Sequence, residues 1–595
     1  MRKFIFAACA ALLLGGSAGA QHISGGIPWS YNSGTVGQQN ISKVIYPAPD
    51  YAAAQKEDEK GSIEGYRVGL MVDANVDFNN AGTFSYLQNG NRVWRMVIGV
   101  EGAKAIDLFM DRFYLPQGVS MFVSNANGKQ LIGAYTNLSN LEDGVFTTPS
   151  VQGSEVVVEM NIESWVNLAD IKFHVNQVAA SYRGGMANNL NIAFGSSNSN
   201  QVEARPTYEG QLSDLCHINA ACPDGDGYND LKQTTIHSSY PRGAGLYFCS
   251  GNLINNTAKD CKPYYLTASH CEATNSKVNS GFATWKFYFN YKTATCSATP
   301  GTAPMTDVIT GANFVARSDY DASVSWMIGD FLLLQLKDEL NDIGKKFNGY
   351  LAGWDRASTT PVGKLIGFHH PAGDPMKLSI YTRAFSNGNF NGGAPSSHWS
   401  CKLEKGGMEG GSSGSGIFSM TTKRLIGDLS GGPDFSPCDT IDANRSEYSK
   451  FTLNWEYENG GDGTPKTRLK DHLDPANTGA TFTETIKVGS GATPDVGCGE
   501  GSTANDDVEK LSNAISVYPS PSTTGQIKLK VNLERATDLN ISVVNLLGAQ
   551  VGSFLAKSIG SGEVAMDLGH VASGVYIINI NVGTTVISKK VVITK

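Results

Sequence analysis

Between Gly65 and Ser164 apolar side chains recur in short alternating runs, among them VWRMVIGV from Val93, VSMFV from Val119 and VVVEMNI from Val156, with Asn-Gly and Asn-Ala-Asn-Gly turn signals nearby. A period of two broken by such turns predicts an antiparallel β-sandwich. Residues 183–205 are rich in Gly, Asn and Ser and read as a linker. At Cys216 the chain changes character: strand-like apolar runs are now interleaved with cysteines, histidines and Gly-rich turns. A second linker, small and acidic, runs from Gly489 to Glu509. Beyond it ISVVNLL from Ile541, GVYIININ from Gly574 and KKVVI from Lys589 predict a second, smaller sandwich.

The first twenty residues read as an address rather than as structure. Arg2 and Lys3 precede an apolar run from Phe4 to Gly16, and Ala18 and Ala20 fit an A-x-A cleavage site, so residues 1–20 are a signal peptide and the mature chain starts near Gln21. The run is shorter than the roughly 20 residues that span a bilayer, and no integral membrane segment is expected. The boundaries that follow are 21–210 for the N-terminal β-rich region with its linker, 211–488 for the middle domain, 489–510 for the second linker and 511–595 for the C-terminal domain. Composition agrees with a mostly β chain: Gly is 67 of 595 residues and charged residues are only 17%. With 47 Lys+Arg against 55 Asp+Glu and no long block of like charge, a nucleic-acid-binding face is excluded as the main function.

Export changes how cysteines are read, because the compartment is oxidising. Of ten cysteines Cys9 leaves with the signal, and eight of the remaining nine lie between Cys216 and Cys438. No C-x-x-C pair accompanies a clustered His pair, so a disulfide framework is favoured over zinc, and the odd total leaves at least one thiol unpaired. CPDGDGYND, with Asp224, Asp226 and Asp230, lacks the Glu that closes an EF-hand; His369-His370 is followed by Pro with no third ligand at a recognised spacing. Neither a metal nor a cofactor is expected.

Three strings in the middle domain carry the residue types of nucleophilic acyl transfer, which needs a hydroxyl, a general base held in one tautomer by a carboxylate, and amides aimed at the developing oxyanion. LTASHC delivers His270 at the end of an apolar strand; DFLLLQL sets Asp330 at the head of another; GGSSGSGIF puts Ser413 in a Gly-rich turn. Each alone has a plainer reading as a core histidine, a turn residue or a flexible linker. Their order His, Asp, Ser matches that of chymotrypsin-like enzymes.

Residues 216 to about 485 resemble the lysyl endopeptidase family of chymotrypsin-like serine proteases. The strings that carry this are CPDGDG from Cys222, SGNLINNTAKD from Ser250, PYYLTASHC ending at Cys271, DFLLLQL from Asp330, LAGWDR from Leu351, HHP at His369, GSSGSG from Gly411, GGP at Gly431, NRS at Asn444 and LDPANTGATF from Leu473. The resemblance implies a double β-barrel in which Ser413 attacks the scissile carbonyl, His270 moves the proton and Asp330 orients His270, with the amides of Gly411 and Ser413 as oxyanion hole. It also implies the pairs Cys216–Cys438, Cys222–Cys296 and Cys249–Cys271. Cys261 and Cys401 are then candidates for an extra bridge, and Cys498 for the free thiol.

The expected specificity pocket departs from the family. Where the family has an Asp for the substrate's lysine ammonium, this chain has Glu447; the family's His before GGP is Ser430, its stacking Trp is Phe390, and its Pro at the end of the nucleophile string is Gly416. One methylene moves the carboxylate by about 1.5 Å, so cleavage after a basic residue is expected with Lys only modestly favoured over Arg. Asp442 is the alternative pocket carboxylate.

The N-terminal region resembles the family's β-rich propeptide in FYLPQGVSMFV and DGVFTTPSVQGSEVVVEM, which implies a segment that shields the site and is cut off before Cys216. No Lys lies in 201–215. The C-terminal 80-odd residues resemble the type A sorting domain of the type IX secretion system, through VYPSPSTTG from Val517, GVYIINI from Gly574 and the terminal KKVVITK. This implies a chain secreted from, or held on, the outer surface of a Gram-negative bacterium, with proteins or peptides as substrates, the secretion machinery as partner, and a monomer as its state. A catalytically degenerate adhesion protein on the same scaffold is the alternative; cleavage after acidic residues is disfavoured by the charge of Glu447.

Overall fold

A computed structural model describes residues 25–32, 40–60, 65–183, 213, 216–260, 262–272, 281–297, 303, 305–318, 328–337, 340–390, 393–432, 445–457, 461–488, 514–545, 550–582 and 585–595. The expected signal peptide and most of both expected linkers lie outside them. Two compact units emerge, Met1–Cys498 and Gly499–Lys595.

In the first unit the alternating N-terminal runs become two facing sheets. One is built on Arg92–Val100, Val119–Asn125 and Glu155–Ile162, the other on Tyr66–Asp77, Ala105–Tyr114 and Lys172–Ser181. Trp94, Met96 and Ile98 of the first share one buried cluster with Ile106, Leu108, Met110 and Val175 of the second. This is the β-sandwich that the alternation predicts.

Two closed barrels follow. In the first, the strands Lys286–Tyr288, Thr235–Arg242, Gly245–Leu253, Tyr264–Thr267 and Leu332–Leu336 pair in that order, and the ring is completed by Val308–Thr310 and Ala312–Arg317, which bond to opposite ends of it. Those last two are one stretch of chain bent at Gly311, whose φ is +92° and where a Cβ would meet Ala283 O at 3.2 Å. Only glycine takes such a bend without strain. The second barrel closes through Leu365–His369, Lys377–Gly388, His398–Lys405, Arg445–Lys450, Leu425–Gly431 and Gly416–Ser419.

The run DFLLLQL shows why its strand is not alternating. Leu332, Leu334 and Leu336 fill the first barrel, whereas Phe331 and Leu333 join a cluster with Ile366, Phe368, Leu378, Phe418 and Leu425 of the second. A strand buried on both faces reads as a continuous apolar run. Asp330, at its head, is thereby carried to the seam between the barrels.

The sandwich is joined to the first barrel by strand pairing: Leu70 lies opposite Gly245 and Gly69 opposite Leu246, so one sheet of twelve strands runs through both. Lys286 of the barrel and Asp107 of the sandwich form an ion pair in which neither side chain is exposed, and Lys337 pairs with Asp143 across the same junction. Tyr66, at the start of the pairing strand, packs on Gly410, one residue from the Gly-rich turn that holds Ser413.

In the second unit Ile515–Tyr518, Gln526–Asn545, Gln550–Asp567, Gly574–Val582 and Thr585–Ile593 form one sheet. The pairing of its two longest strands breaks register around Thr537. Ile527 and Leu529 from before that break, and Ile541 and Val543 from after it, share one buried cluster.

Candidate active site

His270 lies in the short turn Ser269–Cys271 directly after the strand Tyr264–Thr267. That strand pairs with Leu332–Leu336 so that Thr267 faces Leu332, which sets Asp330 beside the turn. Three hydrogen bonds lock them together: Ser269 N donates to Asp330 O at 3.2 Å, His270 N to Asp330 Oδ1 at 2.9 Å, and the ring nitrogen Nδ1 of His270 lies 2.7 Å from Asp330 Oδ2. Asp330 is fully buried. Burial alone pushes its carboxyl up, but the charge and hydrogen bonds of His270, joined by Ser430, outweigh burial and hold it below the usual carboxylate range. An ionised Asp on Nδ1 leaves the other ring nitrogen, Nε2, as the base.

The serine side comes from the second barrel. Gly411 and Gly414 bracket Ser413 with φ of +93° and +81°; a Cβ on Gly414 would collide with Thr267 Oγ1, and one on Gly411 would press on His370 O at 2.9 Å. The turn is pinned to the first barrel by Ser250, whose amide donates to Ser413 O and whose hydroxyl donates to Gly411 O, both at 2.8 Å. Cys271 Sγ lies 3.9 Å from Ser413 O, so the turns carrying His270 and Ser413 adjoin. The amides of Ser412 and Gly414 bond to Glu409 O and Leu429 O, and no acceptor among the described residues takes those of Gly411 and Ser413. Gly416 donates its amide to Asn252 Oδ1 at 2.7 Å, a bond that a proline here lacks the N–H to make.

Glu447 sits on Arg445–Lys450 with Ser400 as cross-strand neighbour on one side and Gly431 on the other. Ser400 Oγ donates to Glu447 Oε1 at 2.6 Å, while Oε2 is buried without a hydrogen-bond partner among the described residues. Burial raises the Glu447 carboxyl above its ordinary value, against the smaller opposing effects of Ser400 and the charge of Arg445. Gly388 has no room for a side chain, because a Cβ would strike Oε2. Phe390 covers Gly431. Ser430 points elsewhere, its hydroxyl 3.0 Å from His398 Nε2.

Disulfides join Cys222 to Cys296 and Cys249 to Cys271, and Cys216 is also bridged. Cys438, Cys261, Cys498 and Asp442 lie outside the described residues. Cys401 is not in an extra bridge: its thiol is free and buried in the second barrel, packed with Trp399, Tyr381 and Tyr448, and burial pushes it well up. His369 and His370 are buried and neutral by desolvation; His369 bonds to Ser412 and Ser379, and among the described residues no group of ligands fit to hold a metal ion occurs. Ser400, Gly388 and His398 are site neighbours that the linear sequence does not reveal. They meet Glu447 and Ser430 through cross-strand register, which no local string encodes.

Two closed barrels with a buried His–Asp pair from one and a glycine-bracketed serine from the other define a chymotrypsin-like serine peptidase. Residues 211–450 match the family described as lysyl endopeptidase, C-terminal domain, and residues 516–594 match the secretion system C-terminal sorting domain. The middle of the chain is thus similar to the lysyl endopeptidase family, and the C-terminal sorting domain indicates secretion or the cell surface. A lysyl endopeptidase of Pseudomonas aeruginosa is 26% identical over 382 residues, covering 60% of this chain and 72% of that one. Among solved structures, the thermostable serine protease AL20 from an extremophilic microorganism is 16% identical with a TM-score of 0.26, covering 37% of this chain and 92% of its own. The protease Anisep from Arthrobacter nicotinovorans is 18% identical with a TM-score of 0.27, covering 37% and 90%.

Proposed function

We propose that this secreted serine peptidase cuts peptide bonds after basic residues, Lys ahead of Arg, through Ser413, His270 and Asp330. His270 takes the Ser413 proton as the hydroxyl attacks the carbonyl, then gives it to the leaving amine; the acyl-enzyme is hydrolysed by water through the same base. The amides of Gly411 and Ser413 receive the oxyanion. The observation that carries the specificity is the buried Oε2 of Glu447, which has no hydrogen-bond partner among the described residues, beside an Oε1 already held by Ser400. A substrate ammonium entering the pocket supplies the missing donor and charge. Arg is longer and brings five donors to a carboxylate with one free oxygen, so Lys is the better match.

Before maturation the N-terminal sandwich covers the edge of Gly245–Leu253 and places Tyr66 next to the nucleophile turn, which supports a propeptide that blocks access until residues up to about 210 are removed. Type IX export through the C-terminal domain and a monomeric mature enzyme complete the reading. The test is to produce the chain from Gln21, let it mature, and incubate it and Ser413→Ala with denatured proteins while sequencing every new N-terminus. Cuts made only by the wild type, mostly after Lys, are expected. Cuts after non-basic residues overturn the role of Glu447, and inactivity after the N-terminal segment has demonstrably left overturns the peptidase mechanism.

A further inference from the structure

The residues His370 to Asp374, directly after the strand Leu365–His369, wrap the nucleophile turn: a Cβ on Gly411 would meet His370 O at 2.9 Å and the amide nitrogens of Ala372 and Gly373 at 3.2 Å. Two amides of this loop hold carbonyls of the turn. Ala372 N donates to Gly410 O at 2.7 Å. His370 N donates to Ser250 Oγ at 2.9 Å, and that hydroxyl donates to Gly411 O at 2.8 Å. The donors are backbone amides and one hydroxyl facing a carbonyl that can only accept, so the direction of every bond is fixed. The loop itself is closed on two sides, Gly373 N donating to His370 O at 3.2 Å and Asp374 N to Pro371 O at 2.9 Å. Ala372, at its centre, has φ of +54°. A non-glycine residue keeps such a conformation only where its surroundings over-determine it.

The peptide that joins Gly410 to Gly411 is trans and planar, so its carbonyl and its N–H point in opposite directions. Holding Gly410 O on Ala372 N therefore turns the Gly411 N–H away from the loop, where no acceptor among the described residues takes it. What anchors the loop in turn is Asp374, a fully buried carboxylate. Ser213, also buried, donates to its Oδ2 twice, with the amide at 3.1 Å and the hydroxyl at 2.5 Å, and Lys377 Nζ lies 3.8 Å from the same oxygen. Ser213 stands two residues after position 211, where the match to the peptidase family begins. His217, in the same stretch, has Nε2 3.1 Å from Glu409 Oε1, and Glu409 O accepts the Ser412 amide at 3.1 Å. The start of the peptidase domain is thus tied to the nucleophile turn on both sides of Gly411.

We infer that Ser213 and Asp374 are positioning residues for catalysis: together they pin the loop His370 to Asp374 so that the Ala372 amide keeps the Gly410–Gly411 peptide in the one orientation that presents the Gly411 N–H to the oxyanion. This rests on Ser413 being the nucleophile and Gly411 an oxyanion donor. Released from Asp374, the loop no longer fixes Ala372, and the peptide between two glycines meets no side-chain barrier to turning over. Such a turn withdraws one donor from the developing charge while leaving the ground-state contacts of the substrate in place. The loss therefore falls on kcat rather than on KM.

The experiment compares matured wild type with Ser213→Ala, Asp374→Asn, Asp374→Ala and the double variant Ser213→Ala/Asp374→Ala. Each is assayed on a lysine peptide for kcat and KM, and for binding of a peptidyl-lysine aldehyde and of the matching alcohol. The aldehyde carbon is attacked by Ser413 Oγ, the hydroxyl proton passes to His270 and the carbonyl oxygen becomes the oxyanion; the alcohol has no carbonyl to attack, so the ratio of the two affinities reads the oxyanion site alone. Deleting a whole oxyanion donor costs about 10²- to 10³-fold in kcat; Asp374→Ala, which frees the donor without deleting it, is expected to cost roughly 10- to 100-fold, and Ser213→Ala, which keeps the amide bond, roughly threefold. KM changes little, the aldehyde-to-alcohol ratio falls with kcat, Asp374→Asn lies between wild type and Asp374→Ala, and the double variant loses no more than Asp374→Ala, because Ser213 acts through Asp374. A loss shared equally by aldehyde and alcohol, or carried by KM, overturns the inference. Should Asp374→Ala not fold, Ser213→Ala and Asp374→Asn carry the same comparison. Hydrogen exchange of residues 370–374 in the full-length Ser413→Ala chain supplies a readout without turnover: adding Ser213→Ala must speed exchange there and not in the strand Leu332–Leu336, and an unmoved loop overturns the inference. A wild type that forms no adduct with the aldehyde instead removes the peptidase reading on which the inference stands, whatever the exchange shows.

Discussion

Asp330 and Glu447 are two carboxylates of one catalytic domain that the fold treats in opposite ways. Asp330 is fully buried, yet His270 meets it with its amide and its ring and its carboxyl is held below the usual range. Glu447 is less buried but keeps one oxygen without a partner among the described residues, and burial pushes its carboxyl up. The first environment suits a charge that must persist through the whole catalytic cycle; the second suits a charge whose partner arrives with the substrate. A third carboxylate, Asp107, is buried together with Lys286, whose ammonium burial pulls down to about 7, and it too keeps one oxygen, Oδ1, without a hydrogen-bond partner among the described residues. The difference teaches that the number of donors around a carboxylate, more than its depth, separates one held ionised from one still wanting a partner.

Removing the charge of Asp330 breaks this contrast most severely. Asp330→Asn keeps the shape but offers an amide N–H to His270, favouring the wrong tautomer, and kcat is expected to fall roughly 10⁴-fold with KM little changed. Glu447→Gln acts on the other side of the comparison. Steady-state kinetics on Lys peptides should show kcat/KM down on the order of 10²- to 10³-fold, because a buried ammonium loses its counter-charge, while hydrolysis of a small ester without a basic side chain is nearly unchanged. Equal losses on both substrates argue that Glu447 supports the barrel rather than the pocket.

The buried pair at the sandwich junction sharpens the same point. Asp107→Ala removes the counter-charge of Lys286 and leaves its ammonium only the Thr148 carbonyl at 3.4 Å and the Phe109 ring in a site with no water contact. Isolated buried charge costs about 3–5 kcal/mol when one partner is deleted. In the uncleaved Ser413→Ala chain this should appear as earlier loss of the N-terminal sandwich on heating, followed by limited proteolysis. Replacing both residues with apolar ones should recover most of the loss. If Asp107→Ala alone leaves the junction intact, the analogy between this pair and an occupied pocket fails.

How much of this was legible in the chain depends on whether a feature is local. The sandwich at 65–164 was readable from alternation, and DFLLLQL as a buried apolar run with Asp330 at its head; that the strand is buried on both faces, which is how Asp330 reaches the seam, is a property of the two packed barrels. His270, Asp330 and Ser413 stand in short strings, so their candidacy was visible before any fold. Ser400, Gly388 and His398 were not: Ser400 meets Glu447 only because Arg445–Lys450 pairs with His398–Lys405 in one register, and a one-residue slip turns every side chain to the other face. The free thiol of Cys401 was misjudged for the same reason, since its depth in the second barrel is a property of the closed ring and not of its neighbours in sequence.

The smallest expected effect separates the two carboxylates by stability rather than rate. Glu447 has a raised pKa in the folded chain, so ionisation costs more folded than unfolded. Below the ordinary glutamate value of about 4.3 both states are protonated and the cost is absent. It grows as pH rises through the ordinary value towards the raised one, and is complete above it. Gln is the shape of the neutral acid. In a Ser413→Ala background with an empty pocket, Glu447→Gln should therefore match its parent at acid pH and unfold later at neutral pH. The gain is about 1–2 °C, kept small by the partial solvent access of the site. Asp330→Asn should do the reverse, because its lowered pKa gives stability that is present above the ordinary aspartate value and lost only as pH falls through the depressed one. Thermal unfolding of both variants at pH 4 and pH 7.5 reads the two signs in one experiment. Two shifts of the same sign at pH 7.5 mean that the carboxylates differ in position alone and not in how the fold has prepared their charge.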